Sequence, residues 1–265
     1  MAKTFGIAGR LVSWAGYSGL VSGGVKQNSL TFNTSAGPLD VTGTTSLANV
    51  VSQEFIPDLV SGTLTHVCWL NPAIKGNESA VTLGTGIYQI PSKNFTLSIT
   101  IPSGETTEHD SSNGVDFKSY VPGPYTWNAS VLANFDDAIA LVLPGRAPAS
   151  CVFKINDASP DNNTFTGNAF AEVYSPSIDP NSLSELPITL KGTGSLTVAG
   201  STNPLFSVGA IGAFTVGAIE FQLNGGTTIE AEAFATQIDI VCNPSQPVQV
   251  TTQIQLTGEL EINPE

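Results

Sequence analysis

The sequence predicts an all-β protein made of two like modules, each a β-sandwich or barrel with at most one short helix. Three observations predict it. Apolar and polar residues alternate with period two along much of the chain. Clusters of Gly, Pro, Asn and Asp interrupt the alternation at short intervals, as the turns of an all-β domain do. Two segments of the chain also repeat two others without a gap.

The repeat is nested. Residues 30–73 match 95–138 at an offset of 65, and residues 164–196 match 228–260 at an offset of 64. In the first pair Leu30-Thr31-Phe32 faces Phe95-Thr96-Leu97, Phe55-Ile56-Pro57 faces Tyr120-Val121-Pro122, and Ala73 faces Ala138. In the second, Ala169-Phe170-Ala171 faces Ala233-Phe234-Ala235, and Thr193-Gly194-x-Leu196 faces Thr257-Gly258-x-Leu260. The order along the chain places module B, contiguous at 79–198, inside module A, which is split into 1–78 and 199–265. Insertion requires termini that lie close together; residues 72–77 and 199–204 are the candidate linkers.

Strands are predicted at residues 30–34, 95–101, 127–135, 152–156, 219–223 and 248–262. The last, VQVTTQIQLTGELEI, holds its alternation longest. Asn224-Gly225-Gly226 suits a tight hairpin, and residues 157–163 a longer loop. Two short helices are expected. One covers 136–143 (DDAIALVL), with acids at its positive N-terminal end and Pro144-Gly145 ending it. The other covers 203–211 (NPLFSVGAI), with an Asn cap and Pro at the first helical position.

Charged residues make up only 12% of the chain, and hydrophobic content is 41%, enough for a core and for assembled surfaces. The net charge is −13. No Lys or Arg follows Lys191, whereas the last 74 residues hold seven acids. That excludes a protein that grips nucleic acid by its phosphates, which requires a basic surface. The start MAKTFGIAGRLVSW lacks an apolar stretch with a cleavage site, so no secretory signal is expected. No apolar run reaches the length of a membrane helix, and no membrane insertion is expected. Cys68, Cys151 and Cys242 are too few for a disulfide framework and read as core residues.

Catalytic signatures are missing. His66 sits in a predicted strand and His109 in an acidic loop, and no HExxH, CxxC pair, GxSxG or phosphate-binding loop occurs. Gly84-Thr85-Gly86 and Gly192-Thr193-Gly194 are read as turn glycines. Asp136-Asp137 are adjacent and do not face each other, so they cap a helix rather than form a catalytic pair. The residues 105–116 match no calcium loop. No catalytic, cofactor or metal site is therefore expected, and an enzyme is disfavoured.

Module B carries an ordered pattern: Glu105-Thr106-Thr107-Glu108-His109-Asp110, then Ser111-Ser112-Asn113-Gly114, then Phe117-Lys118-Ser119-Tyr120-Val121-Pro122-Gly123, a strand holding Trp127, Asp136-Asp137, and finally Leu190-Lys191-Gly192-Thr193-Gly194-Ser195-Leu196. This resembles the major tail proteins, or tail tube proteins, of long-tailed bacteriophages. The likeness spans about 79–198 and extends more weakly to module A through the repeat. The resemblance implies a virion protein of the tail, made in the host cytoplasm. Its copies close into rings by joining inner sheets into one barrel, and the rings stack into a tube for DNA delivery. Two modules per chain then imply a trimer with pseudo-sixfold symmetry. The implied partners are the chain itself, tail tip or initiator, tape measure and tail terminator proteins, and DNA in transient, non-specific passage.

The same resemblance makes the loops 40–57 and 105–122 candidate ring-stacking elements, with Asp40, Phe55, Pro57, Glu105, Asp110, Tyr120 and Pro122 as their marked residues. Glu230, Glu232, Glu259 and Glu261, acids on alternating strands, are candidate lumen-facing residues that keep DNA mobile. Module A departs from the pattern: Asp58 follows Pro57 where module B has Gly123, and Asn71-Pro72 replaces Asp136-Asp137. Two other readings share the profile. A tail terminator or distal ring component would form one ring, and a β-rich virion or cell-surface adhesin would expose an aromatic patch and form none.

Overall fold

A computed structural model describes residues 10–15, 24–34, 39–40, 55–56, 60–69, 80–83, 88–90, 92–106, 118–134, 147–155, 163–175, 177, 184–199, 210–211, 216–224, 227–243 and 246–263. All its regular structure is β. The first half contributes β1 (Arg10–Trp14), β2 (Gly24–Thr34), β3 (Leu39–Asp40), β4 (Phe55–Ile56), β5 (Val60–Trp69), β6 (Ala80–Leu83), β7 (Tyr88–Ile90), β8 (Ser92–Thr100) and β9 (Ser103–Glu105). The second contributes β10 (Tyr120–Pro122), β11 (Thr126–Asn134), β12 (Ala149–Ile155), β13 (Asn163–Tyr174), β14 (Glu185–Ala199), β15 (Ala210–Ile211), β16 (Gly217–Asn224), β17 (Thr227–Cys242) and β18 (Gln249–Asn263).

Fourteen strands form one sheet, and β9–β10 and β3–β4 are separate two-stranded ribbons. The large sheet contains one strand order twice. Residues of module A give β2-β5-β18-β17-β16-β1, and residues of module B give β8-β11-β14-β13-β12-β6. The two sets meet where β17 pairs with β8. All the ladders are antiparallel.

The 64-residue offset holds residue by residue in the hairpins. β17–β18 shifts register between Ala231 and Glu232 and again between Ala235 and Gln237; β13–β14 shifts between Thr166 and Asn168 and between Ala171 and Val173. Each later strand turns through a glycine with φ of 71°, Gly258 in β18 and Gly194 in β14. Only a residue without a Cβ enters that region freely. The offset of 65 holds from β5 to β11 and in the ribbons, where Asp40 pairs Phe55 as Glu105 pairs Tyr120. It fails in β2. Leu30 pairs Leu64, but the residue paired with Ala129, the counterpart of Leu64, is Leu97. The offset there is 67 (97 − 30), so Phe32 corresponds to Ile99 and not to Leu97. A slip of two keeps every side chain on its own face, so alternation alone does not reveal it.

The expected helix at 203–211 is corrected at its end: Ala210–Ile211 is a strand that pairs with Leu196 and Thr197 of β14. An exposed β14 edge offers ladder bonds, which outweigh the weak helix preference of a run followed by glycines. The expected helix at 136–143 lies outside the described residues.

The sheet curls so that its one apolar face closes on itself. Phe153 of β12 contacts Phe95 of β8 at 5.6 Å and meets the indole of Trp127 in β11 edge-on at 6.1 Å. Trp127 is fully buried, and its Nε1 donates to the Gly194 carbonyl at 3.2 Å. The indole occupies the space left by Gly192 and Gly167, where any Cβ would meet the ring. Module A solves the same site in reverse. Gly62 stands where Trp127 does, and Leu256, in place of Gly192, fills the gap above it. The summed volume is roughly conserved, as a close-packed core demands.

Gly192→Ala is expected to destabilise the protein by about 1–3 kcal/mol through overpacking against Trp127, whereas Gly194→Ala, open on its Cβ side, costs about 1 kcal/mol of backbone strain. Urea unfolding of the two variants measures both.

Candidate functional site

The opposite face of the joined sheet is a broad, mostly polar surface. Eight strands lie side by side, β2-β5-β18-β17-β8-β11-β14-β13. Their inward residues are buried: Leu64 and Cys68 in β5, Val250 and Ile254 in β18, Ile238 and Ile240 in β17, Leu97 and Ile99 in β8. The alternate positions point away from the core. They are Thr63, Thr65, Thr251, Gln253, Gln237, Thr96, Ser98, Thr100, Asn128, Ser130 and Thr189, all half-buried or exposed. Alternation on a one-sided sheet makes this arrangement, and the result is a carpet of short hydroxyl and amide side chains. Asp239, Lys191 and the apolar Val67, Trp69, Leu132 and Val241 interrupt it. Such a surface offers a phosphate backbone a single exposed lysine, Lys191, and no dense charge of either sign. The polar positions of TLTHV, TLSIT and VTTQIQL carry this signal in the sequence.

The candidate lumen acids cluster at one end of the hairpin β17–β18. Glu230 lies directly between Glu220 of β16 and Glu261 of β18, and Glu232 pairs with Thr257. With Glu259 they line a groove of about 670 Å³ beside Ser13 and Ala218. Glu230, Glu232, Glu259 and Glu261 are exposed. The side chain of Asn263 donates to Glu230 Oε1 at 3.1 Å. Directly opposed like charges cost a sheet a few tenths of a kcal/mol or more per pair, so this patch is not there for stability. The strand's extra residue at Thr236 reverses its parity. Glu230 and Glu232 therefore share a side with Gln237 and Asp239. The counterparts in module B are neutral: Val152, Thr166, Asn168, Ser195 and Thr197.

The ribbons contain the marked stacking residues. Asp40 with Phe55, and Glu105 with Tyr120, are paired in β3–β4 and β9–β10, and Pro122 ends β10. Pro57 and Asp110 lie outside the described residues. The β9–β10 ribbon belongs to module B but is clipped to module A. Thr257 Oγ1 accepts from the Tyr120 N–H at 2.6 Å and donates to the Tyr120 carbonyl at 3.1 Å. The Lys118 N–H reaches the Val60 carbonyl at 2.9 Å, and Lys118 Nζ pairs with Glu105 at 3.2 Å.

Among the described residues no group of three or more His, Cys, Asp or Glu is placed to hold a metal ion, and no helix is long and apolar enough to cross a membrane. His66 is a core residue, fully buried, with Nδ1 2.6 Å from Asn28 Oδ1. Its counterpart pair in module B is apolar, Val131 with Phe95. The three cysteines are buried and none is in a disulfide. Burial pushes the thiols of Cys68 and Cys151 up to about 12.

No family model and no curated protein matches the chain. Among solved structures, it is similar to a chain of the virion of a native gene transfer agent particle, at 14% identity and a TM-score of 0.39, over 48% of this chain and 100% of that one. It is also similar to a chain of the sheath–tube complex of an extracellular contractile injection system in its extended state, at 20% identity and a TM-score of 0.33, over 49% of this chain and 91% of that one.

Two outcomes are expected. Thr257→Val removes both bonds to Tyr120 and leaves a part-buried amide unpaired, at about 1–3 kcal/mol; amide hydrogen exchange at Tyr120 accelerates while β11 is unaffected. A thiol reagent at pH 8 leaves the native protein unlabelled, because all three thiols are buried out of its reach and burial raises the pKa of Cys68 and Cys151 as well, and labels three cysteines per chain in denaturant.

Proposed function

We propose that this chain is a structural virion protein of a phage-like tail, forming the tail tube by ring closure and ring stacking. The carrying observation is the doubled strand order, joined edge to edge through β17 and β8. A unit that pairs with its own duplicate inside one chain is a unit built to continue in a closed cycle, and closure removes the free edges that would otherwise invite aggregation. The resemblance of module B to tail tube proteins supports the same reading and gives the count: three chains, six modules, pseudo-sixfold symmetry. Module B, at 79–198, is then an inserted duplicate within a module A split into 1–78 and 199–265.

In this reading the hydroxyl and amide carpet lines the channel. Glu230, Glu232, Glu259 and Glu261 form a negative patch on the same side at one end of the hairpin, once per chain. DNA passes without being held, because neutral polar side chains and repelling carboxylates release no counterions. The outer parts of the loops 40–57 and 105–122 reach the next ring, while their ribbon bases stay on the parent ring. The work is assembly, with no catalysis. Tail tip or initiator, tape measure and terminator proteins are the expected partners, and the virion tail is the location.

Electron microscopy of concentrated, aged protein, with light scattering for mass, tests this. Tubes or stacked rings of three chains are expected. Rings that never stack reassign the chain to a tail terminator or distal ring component, and a monomer that persists even with initiator present overturns the reading. Replacing all four glutamates by lysine is expected to leave tubes intact and slow DNA release from reconstituted particles by about tenfold or more at low salt, with the effect shrinking as salt screens it.

A further inference from the structure

The chain holds one complete module joint and the two separated halves of another. In the complete joint, the second part of β17 pairs with β8: Gln237 with Thr100, Ile238 with Ile99, Asp239 with Ser98 and Ile240 with Leu97. The first part of β17, up to Ala233, is occupied by β16. In module B the first part of β13, up to Ala169, is likewise occupied by β12. The corresponding free part, from residue 173 on, has β14 on one side and no strand on the other among the described residues. At the far end of the sheet, β2, the counterpart of β8, pairs only with β5 among those residues.

We propose that a second copy of this chain supplies the missing partner, and that the register of the contact between copies is written in the internal joint. Carrying each strand to its counterpart, by 64 for β17 and 67 for β8, pairs Val173 with Asn33, Tyr174 with Phe32, Ser175 with Thr31 and Ser177 with Ser29. The ribbon follows. As Tyr120 of β10 is clipped to Thr257 in the adjoining module, the backbone of Phe55 in the second copy meets Thr193 of the first. This inference rests on the ring reading above and specifies its interface.

Burial distinguishes the joint from ordinary divergence between the modules. In the strands beside it, counterparts are equally buried: Leu64 and Ala129, Cys68 and Ala133, Val250 and Leu186, Ile254 and Leu190; they differ again only at the far end of the hairpins, where β15 pairs with β14 and Leu196 and Val198 are buried while Leu260 is half-buried and Ile262 exposed. At the joint they differ, always in one direction. Ile99 is 0% exposed and its counterpart Phe32 is 41%. Ile238, Leu97 and Phe234 are fully buried, whereas Tyr174, Leu30 and Phe170 are half-buried. Thr257 is buried under the ribbon, and Thr193 is exposed. The residues left open are what a docked copy would cover. Phe32 opposite Tyr174 makes an aromatic cross-strand pair of the kind that stabilises antiparallel edges. Pro176 stands where Ile240 does. It has no N–H, so the joint between copies has one ladder bond fewer than the joint within a chain.

Disulfide trapping tests the register. The Ser175 N–H donates to the Pro187 carbonyl of β14, which makes Ser175 a non-hydrogen-bonded position toward β2. Such pairs bring Cα atoms to about 4.5 Å, within disulfide reach. Ser175→Cys with Thr31→Cys is expected to give dimers and trimers on a non-reducing gel. Asp239→Cys with Ser98→Cys is the control and closes within one chain. Ser175→Cys with Asn33→Cys is the pairing that an unbroken 65-residue offset would give, and is expected to trap at least about tenfold less, since diagonal neighbours lie too far apart. Phe32→Asp, at a side chain that is 41% exposed and otherwise packs over Gly62, is expected to lower the monomer's melting temperature modestly, leave it folded, and abolish assembly. Rings that form without trapping at Thr31, or that survive Phe32→Asp, overturn this joint and leave the tube reading standing. Trapped dimers without rings support the joint and remove the tube reading. A monomer that never traps overturns both.

Discussion

The ladder between β17 and β8 is the constraint on which the rest depends. Six residues of each strand, Gln237–Cys242 and Phe95–Thr100, merge two sets of strands into one sheet. Each backbone amide and carbonyl along a buried edge needs a partner, and β17 finds two on the same edge. Its first part bonds to β16 and its second to β8. The change of partner occurs at the irregularity beside Thr236, whose carbonyl accepts from the Ile101 N–H at 2.8 Å. A bulge bends a strand and sharpens its twist. Here it releases the strand from one neighbour as the next arrives, so that the sheet both curls over its core and continues sideways.

The two modules show which parts of this architecture tolerate change. The hairpins β17–β18 and β13–β14 carry their two register shifts at matching places, to within a residue, and share both left-handed glycines. Their cores exchange large for small at Trp127 and Gly192 against Gly62 and Leu256, conserving volume while changing every side chain at the site. His66 with Asn28 replaces an apolar pair by a hydrogen-bonded one, which satisfies the buried imidazole. The surface is where they part. Five glutamates line the groove in module A, and neutral residues stand at the matching places in module B. Two modules in one chain allow alternate positions around an assembly to differ, which a ring of single-module chains cannot do.

Much of this is legible in the sequence. All-β structure followed from alternation, and the hairpin repeat from marks that are irregular in themselves: Thr-Gly-x-Leu sits where a bulge and a left-handed glycine occur together, so it cannot slide along the strand. The repeat marks Phe55-Ile56 and Tyr120-Val121-Pro122 fall in β4 and β10, whose ribbons lie within segments that the sequence pattern presents as loops. The surface was read only in part. Counting charge drew attention to the acids, while the carpet was dispersed as single Thr, Ser, Gln and Asn residues over eight strands.

By itself, then, the sequence determined the all-β class, the two-fold repetition and the polarity of its strand faces, because these depend on patterns carried along the chain. The tertiary structure decided the rest. The two-residue slip of β2 against the repeat was invisible, because a shift by two leaves faces unchanged. Residues 210–211 took a strand rather than a helix because β14 offered an open edge. The joint itself pairs Gln237 with Thr100, 137 positions apart, and no local pattern records which two edges will meet across that distance. Pairing at long range is settled by the whole sheet, once the core has fixed which face of each strand is turned inward.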